Sequence, residues 1–393
     1  MLAGPALVLL LAGPAVSSPP APHEPSHRAG QEPLDFRGPG RDAPEPPVSE
    51  VVLGWFGPGD PDHPEFGELW RGAALALEQE NAAGGYHGKP FRLQPAWSES
   101  PWKAGVREVT RLVYEAQAWA VLGGVDGNTT HLAVQIALKS YFLLLSPGST
   151  DVTADLANVP WLFSLPPSDE ALAPAIVGAI ASNAGGSGFA VAAGTDHDAH
   201  AALVAVKRVL GARQLAPRVI VEMPEVDPDL PDVVRQLLVP PPSAVVVLAR
   251  SALAGRLVAE LRRAGYRGEV IGGATLGRAA FARAAGVAAD GVVAPAWVDA
   301  ARPPWRAFAE AYQRRWSSPA DAAAADGYDA VRLVAAAVRA TGLNRPRIRD
   351  AVRALMPWTG ASGTVEWNAL GRNQPLPTMR RWQGGTLLQP SRP

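Results

Sequence analysis

The sequence predicts an α/β protein built as two lobes, each a parallel sheet flanked by helices, and three observations carry that expectation. From Ser49 onward, short β-branched or apolar runs alternate with amphipathic helical stretches, as in a doubly wound sheet. The alternation falls into two similar series, one before and one after Trp161 to Leu165. Tyr141 to Leu145 is apolar throughout apart from one hydroxyl, which suits a strand buried on both faces of a parallel sheet.

In the first series, Val51 to Phe56 reads as a strand and Glu68 to Asn81 as a helix. Leu69, Gly72, Ala73, Leu75, Ala76 and Leu77 form its buried stripe, and Ala83-Gly84-Gly85 ends it. Phe91 to Trp97 is a strand, Lys103 to Ala116 a helix, and Ala118 to Leu122 a strand entering the turn Gly123 to Gly127. Asn128 or Thr129 is expected to cap the next helix, and the strand Tyr141 to Leu145 ends in Ser146-Pro147-Gly148-Ser149-Thr150. The second series runs helix Glu170 to Ser182, strand Phe189 to Ala193, helix Ala199 to Leu210 and strand Arg218 to Met223. It continues with Asp229 to Leu238, strand Ala244 to Leu248, helix Leu253 to Ala264, strand Glu269 to Gly272, helix Arg278 to Ala284 and strand Gly291 to Pro295. Pro304 to Leu355 is almost wholly helical, and Thr364 to Trp367 and Thr378 to Trp382 read as late strands.

Composition narrows the function classes. A chain of 393 residues with 47% hydrophobic residues has ample material for two cores. A net charge of -1 provides no general field for nucleic acid or an anionic membrane, so no nucleic-acid partner is expected. The absence of cysteine removes disulfides, thiol nucleophiles, Cys-ligated zinc and Cys-based lipidation. At the N-terminus, the uncharged Leu2 to Val16 run followed by Ala15-Val16-Ser17 has the form of a signal peptide over residues 1–17, although no Lys or Arg precedes it. An uncleaved anchor is the competing reading, against which the run is short for a membrane span. Residues 18–47, rich in Pro, Gly, Glu and Arg, read as a disordered tether of an exported, periplasmic or otherwise extracytoplasmic protein.

Several stretches, in order, then resemble the type I periplasmic solute-binding proteins of the leucine/isoleucine/valine-binding family of ABC importers. They are Gly72 to Glu78, Asn81 to Gly85 with Gly88-Lys89, Pro101 to Ala104, Val121 to Gly124, Leu145 to Thr150, and Phe163-Ser164. Arg263 to Tyr266, Asp290 to Val292 and Arg381 to Gly385 continue the series, so the resemblance spans about residues 49 to 390. It implies a Venus-flytrap fold of two Rossmann-like lobes joined by three crossings, near 163–167, 293–297 and 361–366, closing by hinge motion on a solute. Lobe 1 would comprise 48–164 plus 296–361, and lobe 2 165–295 plus 362–393. It further implies a monomer without cofactor that hands its solute to an ABC permease in the membrane.

Two loops of lobe 1 are expected to face the cleft, Asp126 to Thr130 and Gly148 to Thr150. Each brings backbone N–H groups and small polar side chains near a helix N-terminus, where Gly127, Asn128, Ser149 and Thr150 are ligand candidates. The competing reading is that both are ordinary strand-to-helix turns. The resemblance implies a serine at Gly127 that would hold a ligand carboxylate, a carboxylate at Ala274 that would hold a ligand ammonium, and aromatic residues at Arg250 and about Asp198. Thr150 matches and the others depart, so an organic acid or amide is expected more than an amino-acid-like ligand. Arg250 offers a bidentate donor to such a group, or is a solvated loop arginine, or is paired with Asp198. Phe66, Trp70 and Trp297 are candidate aromatic walls, Trp70 also fitting the helix core.

Enzyme signals are weak. Asp196-His197-Asp198-Ala199-His200 contains metal-ligating types but lies at a strand-to-helix turn, where Asp caps and exposed His are common, and no metal site is expected there. No His-Glu-x-x-His, Gly-x-Ser-x-Gly or Walker-type loop occurs, and Gly185-Gly186-Ser187-Gly188 precedes a strand rather than following one. Ser146 and Ser149 have no base nearby in sequence, though a triad is assembled in space. The expected function is capture of a small solute for a permease. The alternative is a sensing or partner-binding module of the same fold.

Overall fold

In the computed structural model, residues 40–183 and 188–388 are described. The expected signal peptide, the tether up to residue 39, and Gly185 to Ser187 lie outside them. The first lobe is entered through β1 (Val51–Phe56), α1 (Gly67–Ala82) and β2 (Phe91–Ala96). The next helix is irregular: α2 (Val106–Thr110) is flanked by wider π-type turns at Pro101–Gly105 and Arg111–Glu115. There follow β3 (Ala120–Gly123), α3 (Gly127–Ser140), β4 (Leu143–Ser146), the short α4 (Val152–Leu156) and β5 (Leu162–Ser164). These strands form a fully parallel sheet in the order β2-β1-β3-β4-β5, with Gly54 opposite Val121 and Val51 opposite Phe91. Every residue of β1, β3 and β4 is buried, as continuous apolar runs covered on both faces require.

The second lobe repeats the plan with α5 (Asp169–Asn183), β6 (Phe189–Gly194), α6 (His197–Ala212), β7 (Ile220–Met223) and α7 (Leu230–Leu238). After these come β8 (Ala244–Leu248), α8 (Ser251–Arg263), β9 (Glu269–Gly272), a 3₁₀ turn at Ala274–Gly277, α9 (Ala279–Ala285) and β10 (Val293–Ala296). Helices α10 (Pro303–Trp316), α11 (Ala322–Thr341) and α12 (Arg345–Ala354) then return to the first lobe. A two-strand ribbon, β11 (Trp358–Thr359) and β12 (Thr364–Val365), precedes β13 (Thr378–Gln383) and β14 (Thr386–Leu388). The second sheet is ordered β14-β13-β10-β9-β8-β6-β7, parallel except for β13 and β14. Its parallel part, β7-β6-β8-β9-β10, has the same connectivity as the first sheet.

Helix α11 is the buried spine of the first lobe, and it packs on α1 at backbone distance. A Cβ on Gly72 would lie 1.9 Å from the Ala324 carbonyl oxygen, and one on Gly327 would lie 2.1 Å from that of Leu69. The glycines therefore set the spacing at which Leu69, Val331 and Val334 join one core.

Four sequence expectations need correction. Residues 40–47, placed in the tether, are docked: the Asn344 side chain donates to the Gly40 carbonyl at 2.7 Å, Arg347 donates to that of Arg41 at 2.8 Å, and Tyr86 donates to Glu45 at 2.9 Å. Polar backbone contacts hold this stretch where aliphatic residues are lacking. The cap of α3 is Asp126, with Thr129 completing a reciprocal capping box from the third helical position. The strand expected over Thr364 to Trp367 stops at Val365, because Trp367 instead bridges Asn373 and donates its indole N–H to Val352. Finally, α4 and β14 appear where no element was expected.

Candidate ligand-binding cleft

In a doubly wound sheet, the crevice for a ligand opens where strand order reverses, beyond the C-terminal strand ends. In the first lobe that point lies between β1 and β3, and in the second between β6 and β8. The loops leaving these four strands meet across one small cavity of about 40 Å³. Glu65 and Phe66 follow β1, Val125 follows β3, Asp196 and Asp198 follow β6, and Ala249 and Arg250 follow β8. Thr150, Ala274 and Arg278 close its sides. The volume leaves room for a few waters, so the lobes are closed upon each other.

Closure is made by carboxylates of one lobe on helix N-termini of the other, a pairing favoured by free N–H groups and the helix dipole. Asp198 Oδ1 accepts from the Gly127 N–H at the start of α3, at 2.8 Å. Glu65 Oε1 accepts from the Ser251 N–H and hydroxyl at the start of α8, at 3.2 and 2.9 Å. Asp321 Oδ2 accepts from the Ala279 N–H at the start of α9, at 2.8 Å. A fourth tie joins His197 Nε2 to Asp151 Oδ2 at 2.7 Å.

These contacts explain the departure at Gly127. A Cβ there would sit 2.4 Å from Asp198 Oδ1 and 2.7 Å from His197 Cδ2. The space and the N–H that the resemblance would assign to a serine and a ligand carboxylate are taken by the chain's own Asp198.

Arg250 reaches the cleft and stacks its guanidinium over Phe66 at 5.8 Å, with its side chain 31% exposed. Its Nη2 donates to Asp126 at 3.1 Å. Its Nε lies 2.8 Å from Glu225 Oε1 but out of line for a hydrogen bond. Of the sequence readings the structure gives a paired arginine, with Asp126 and Glu225 as partners in place of Asp198. Burial alone would lower the Arg250 pKa, but Asp126, Glu225 and Asp196 outweigh it and hold the guanidinium charged.

Phe66, Thr150, Asp198, Arg250 and Ala274 thus line one cavity. Asn128 does not line it. Ser149 is buried beneath its loop, with its N–H donating to Ser146 Oγ at 3.2 Å, while Ser146 donates to the Gly124 carbonyl at 2.6 Å. Both hydroxyls fix loop shape. Trp70 packs edge-on against Trp55, centroids 5.6 Å apart, on the core side. Trp297 walls a different and larger space, about 740 Å³ and mainly apolar, between the 3₁₀ turn with α9 and the α10 to α11 region. That space shares Ala274 and Arg278 with the polar cavity but touches neither switch point.

Sequence reasoning missed Glu65, Asp196 as a lining residue, Arg278 and the buried Arg372. Arg372 donates to the carbonyls of Ser149, Pro166 and Asp151 at 2.8, 3.1 and 2.9 Å and pairs with buried Asp155, staking the second loop. Four buried atoms around the cavity have no hydrogen-bond partner among the described residues: Glu65 Oε2, Asp196 Oδ2, Arg250 Nε and Arg278 Nε. Burial raises the carboxyl pKa values of Glu65 and Asp169, Asp169 to about 7. Asp198 is pushed well up by burial and by neighbouring Asp126 and Asp196.

Two α/β lobes of like connectivity, with their switch points closed on one cavity, define a type I Venus-flytrap binding protein. The sequence profile described as Periplasmic binding protein matches residues 59–381. The chain belongs to this family. Among solved structures it is similar to the branched-chain amino acid transporter substrate binding protein LivJ of Streptococcus pneumoniae, in complex with isoleucine. That pair shares 21% identity over 86% of this chain and 97% of the other, with a TM-score of 0.78. It is also similar to an ABC transporter solute binding protein of R. palustris in complex with benzoate, at 18% identity over 87% and 95% of the two chains, TM-score 0.77. Leucine binding protein LivK of Thermotoga maritima matches at 16% identity over 86% and 97%, TM-score 0.75. These likenesses speak for the fold. A stretch of 105 residues is 35% identical to an amino acid binding protein of Pseudomonas aeruginosa, covering 26% of this chain and 28% of that relative's length. The family and these neighbours are binding proteins rather than enzymes.

Proposed function

We propose that this chain is an exported substrate-binding protein that captures a small polar solute between its lobes and delivers it, as a monomer and without catalysis, to an ABC-type permease. The observation that carries this reading is the convergence of both switch points on one cavity with unpartnered polar atoms in its wall. Glu65 Oε2 and Asp196 Oδ2 call for a donor, and Arg250 Nε and Arg278 Nε call for an acceptor. A solute bearing both, an amide or an amino-acid-like molecule, suits this set better than a simple organic acid, which brings acceptors for the arginines but no donor for the ionised carboxylate oxygens. Hinge opening would admit it, with 48–164 plus 296–361 moving against 165–295 plus 362–393. Among the described residues no helix is long and apolar enough to cross a membrane. The neighbours' isoleucine and benzoate bracket the chemistry offered to this fold.

A second reading, a sensing or partner-binding module, is favoured by one observation: the cavity is small and the chain's own carboxylates already occupy the α3 and α8 N-termini. A thermal-shift screen separates the two. A solute present at 100 times its dissociation constant adds about 2.7 kcal/mol of stability. We expect a shift with amides or amino-acid-like solutes. A folded protein that responds to none of the amino acids, amides, organic acids or sugars would replace the transport reading with the second.

A further inference from the structure

Beside the cavity, and sharing none of its lining residues, three side chains from separate stretches of chain converge. His131 lies in the second turn of α3, Asp151 caps α4, and His197 opens α6 in the other lobe. The Nε2 atoms of His131 and His197 lie 2.9 and 2.7 Å from the same oxygen, Asp151 Oδ2, and the ligand atoms of all three residues fall within 4.8 Å of one another. The imidazole rings stand perpendicular, at 88°, with centroids 5.5 Å apart, so their nitrogens approach the carboxylate from different directions. Asp151 is fully buried, whereas the His131 and His197 side chains are 29% and 36% exposed, so the cluster lies at the edge of the interlobe contact within reach of solvent.

We propose that His131, Asp151 and His197 form an interlobe site for a divalent ion of the zinc class. Two imidazole nitrogens and one carboxylate are a known zinc donor type, whereas Ca²⁺ and Mg²⁺ prefer oxygen. Zinc bonds of ~2.0–2.2 Å in tetrahedral geometry place donor atoms ~3.3–3.6 Å apart, so the two nitrogen-to-oxygen contacts need to widen by roughly 0.4–0.9 Å while all three donors already fall within 4.8 Å of one another. The ion replaces the imidazole protons that now face Asp151, and these are released to solvent. A second layer of contacts already orients the carboxylate: the Thr153 N–H and hydroxyl hold Asp151 Oδ1 at 2.8 and 2.7 Å. Thr153 Oγ1 also lies 2.8 Å from His131 Nε2, near the side left for a fourth, exchangeable ligand. Because His197 belongs to the second lobe, the ion is held only when the lobes are closed, and metal binding and closure favour each other.

The test uses the full chain purified without a histidine tag and freed of metal by chelator. Zn²⁺ is titrated by calorimetry, and Co²⁺ is followed by its visible absorption. The expected result is one ion per chain with the intense bands of tetrahedral Co²⁺, and a rise in melting temperature. His131→Gln and His197→Gln, each about one-third exposed and checked for native circular dichroism, should each weaken binding at least about 100-fold and abolish that rise, as expected for loss of a direct ligand. His23, His27, His63, His87 and His200 remain in both variants, so adventitious binding to them would survive. Absence of saturable one-to-one binding in the wild-type chain, or wild-type affinity in His197→Gln, would overturn the proposal.

Discussion

At the scale of single residues, the cleft is governed by buried carboxyls whose ionisation is discouraged. Asp169, at the start of α5, accepts from the Thr150 hydroxyl at 2.9 Å, yet burial lifts its pKa from 3.8 to about 7. The folded state thus holds this proton more tightly than the unfolded chain. Its contribution is fully present below about pH 4 and is lost as pH rises through about 7. Asp169→Asn keeps an acceptor for Thr150 and removes the charge, so it should stabilise the protein at pH 8 by roughly 2–4 kcal/mol and leave pH 4 almost unchanged. Thermal denaturation of both proteins across this range checks the sign. A difference between them that does not grow with pH would place the strain elsewhere. His197 acts in the same direction, since its bond to Asp151 raises its pKa, and that bond is kept in both proteins.

At the scale of elements, periodicity and helix-end chemistry made most of the fold legible in the sequence. Val51 to Phe56, Phe189 to Ala193 and Ala244 to Leu248 were readable because unbroken apolar runs of that length suit strands buried on both faces. Local competition hid the rest. Asp151-Val152-Thr153 forms a cap and a single helical turn too short for a periodic signal, and β14 is three residues after a Gly-Gly turn. The candidate site was legible only in part. Thr150 and Arg250 stand at strand ends, which sequence identifies, whereas Arg372 and Asp155 lie 217 positions apart and Glu65 and Ser251 lie 186 apart. No local pattern encodes such pairs. The α1 to α11 contact shows the same limit, since Gly72 reads as part of a buried stripe while its demand for glycine comes from Ala324. Gly327→Ala should therefore cost about 1–3 kcal/mol, the usual range for overpacking, because the added methyl meets a backbone carbonyl rather than a movable side chain. Chemical denaturation measures it. A neutral result would mean that the two helices separate without loss of their shared core.

At the scale of the whole molecule, the two lobes are joined by more than hinge strands, because each supplies carboxylates to helix N-termini of the other. Asp198 on α3 and Glu65 on α8 form a reciprocal pair around the cavity, and both are placed at the atoms that an incoming polar solute would seek. Under the proposed function, closure and solute binding would compete for the same N–H groups, so affinity would depend on how readily the empty lobes part. If each contact contributes about 1 kcal/mol, removing both weakens closure by about 2 kcal/mol, or about thirtyfold in the equilibrium between closed and open forms. The double variant Glu65→Ala, Asp198→Ala should accordingly show a larger radius of gyration than the parent by small-angle X-ray scattering, with unchanged circular dichroism because both helices keep their internal bonds. Identical scattering curves would show that the remaining ties between the lobes, among them Asp321 on α9, His197 on Asp151, Arg250 on Asp126 and Arg283 on Glu68, suffice to hold them together, and that the carboxylates at the switch points shape the cavity without governing its opening.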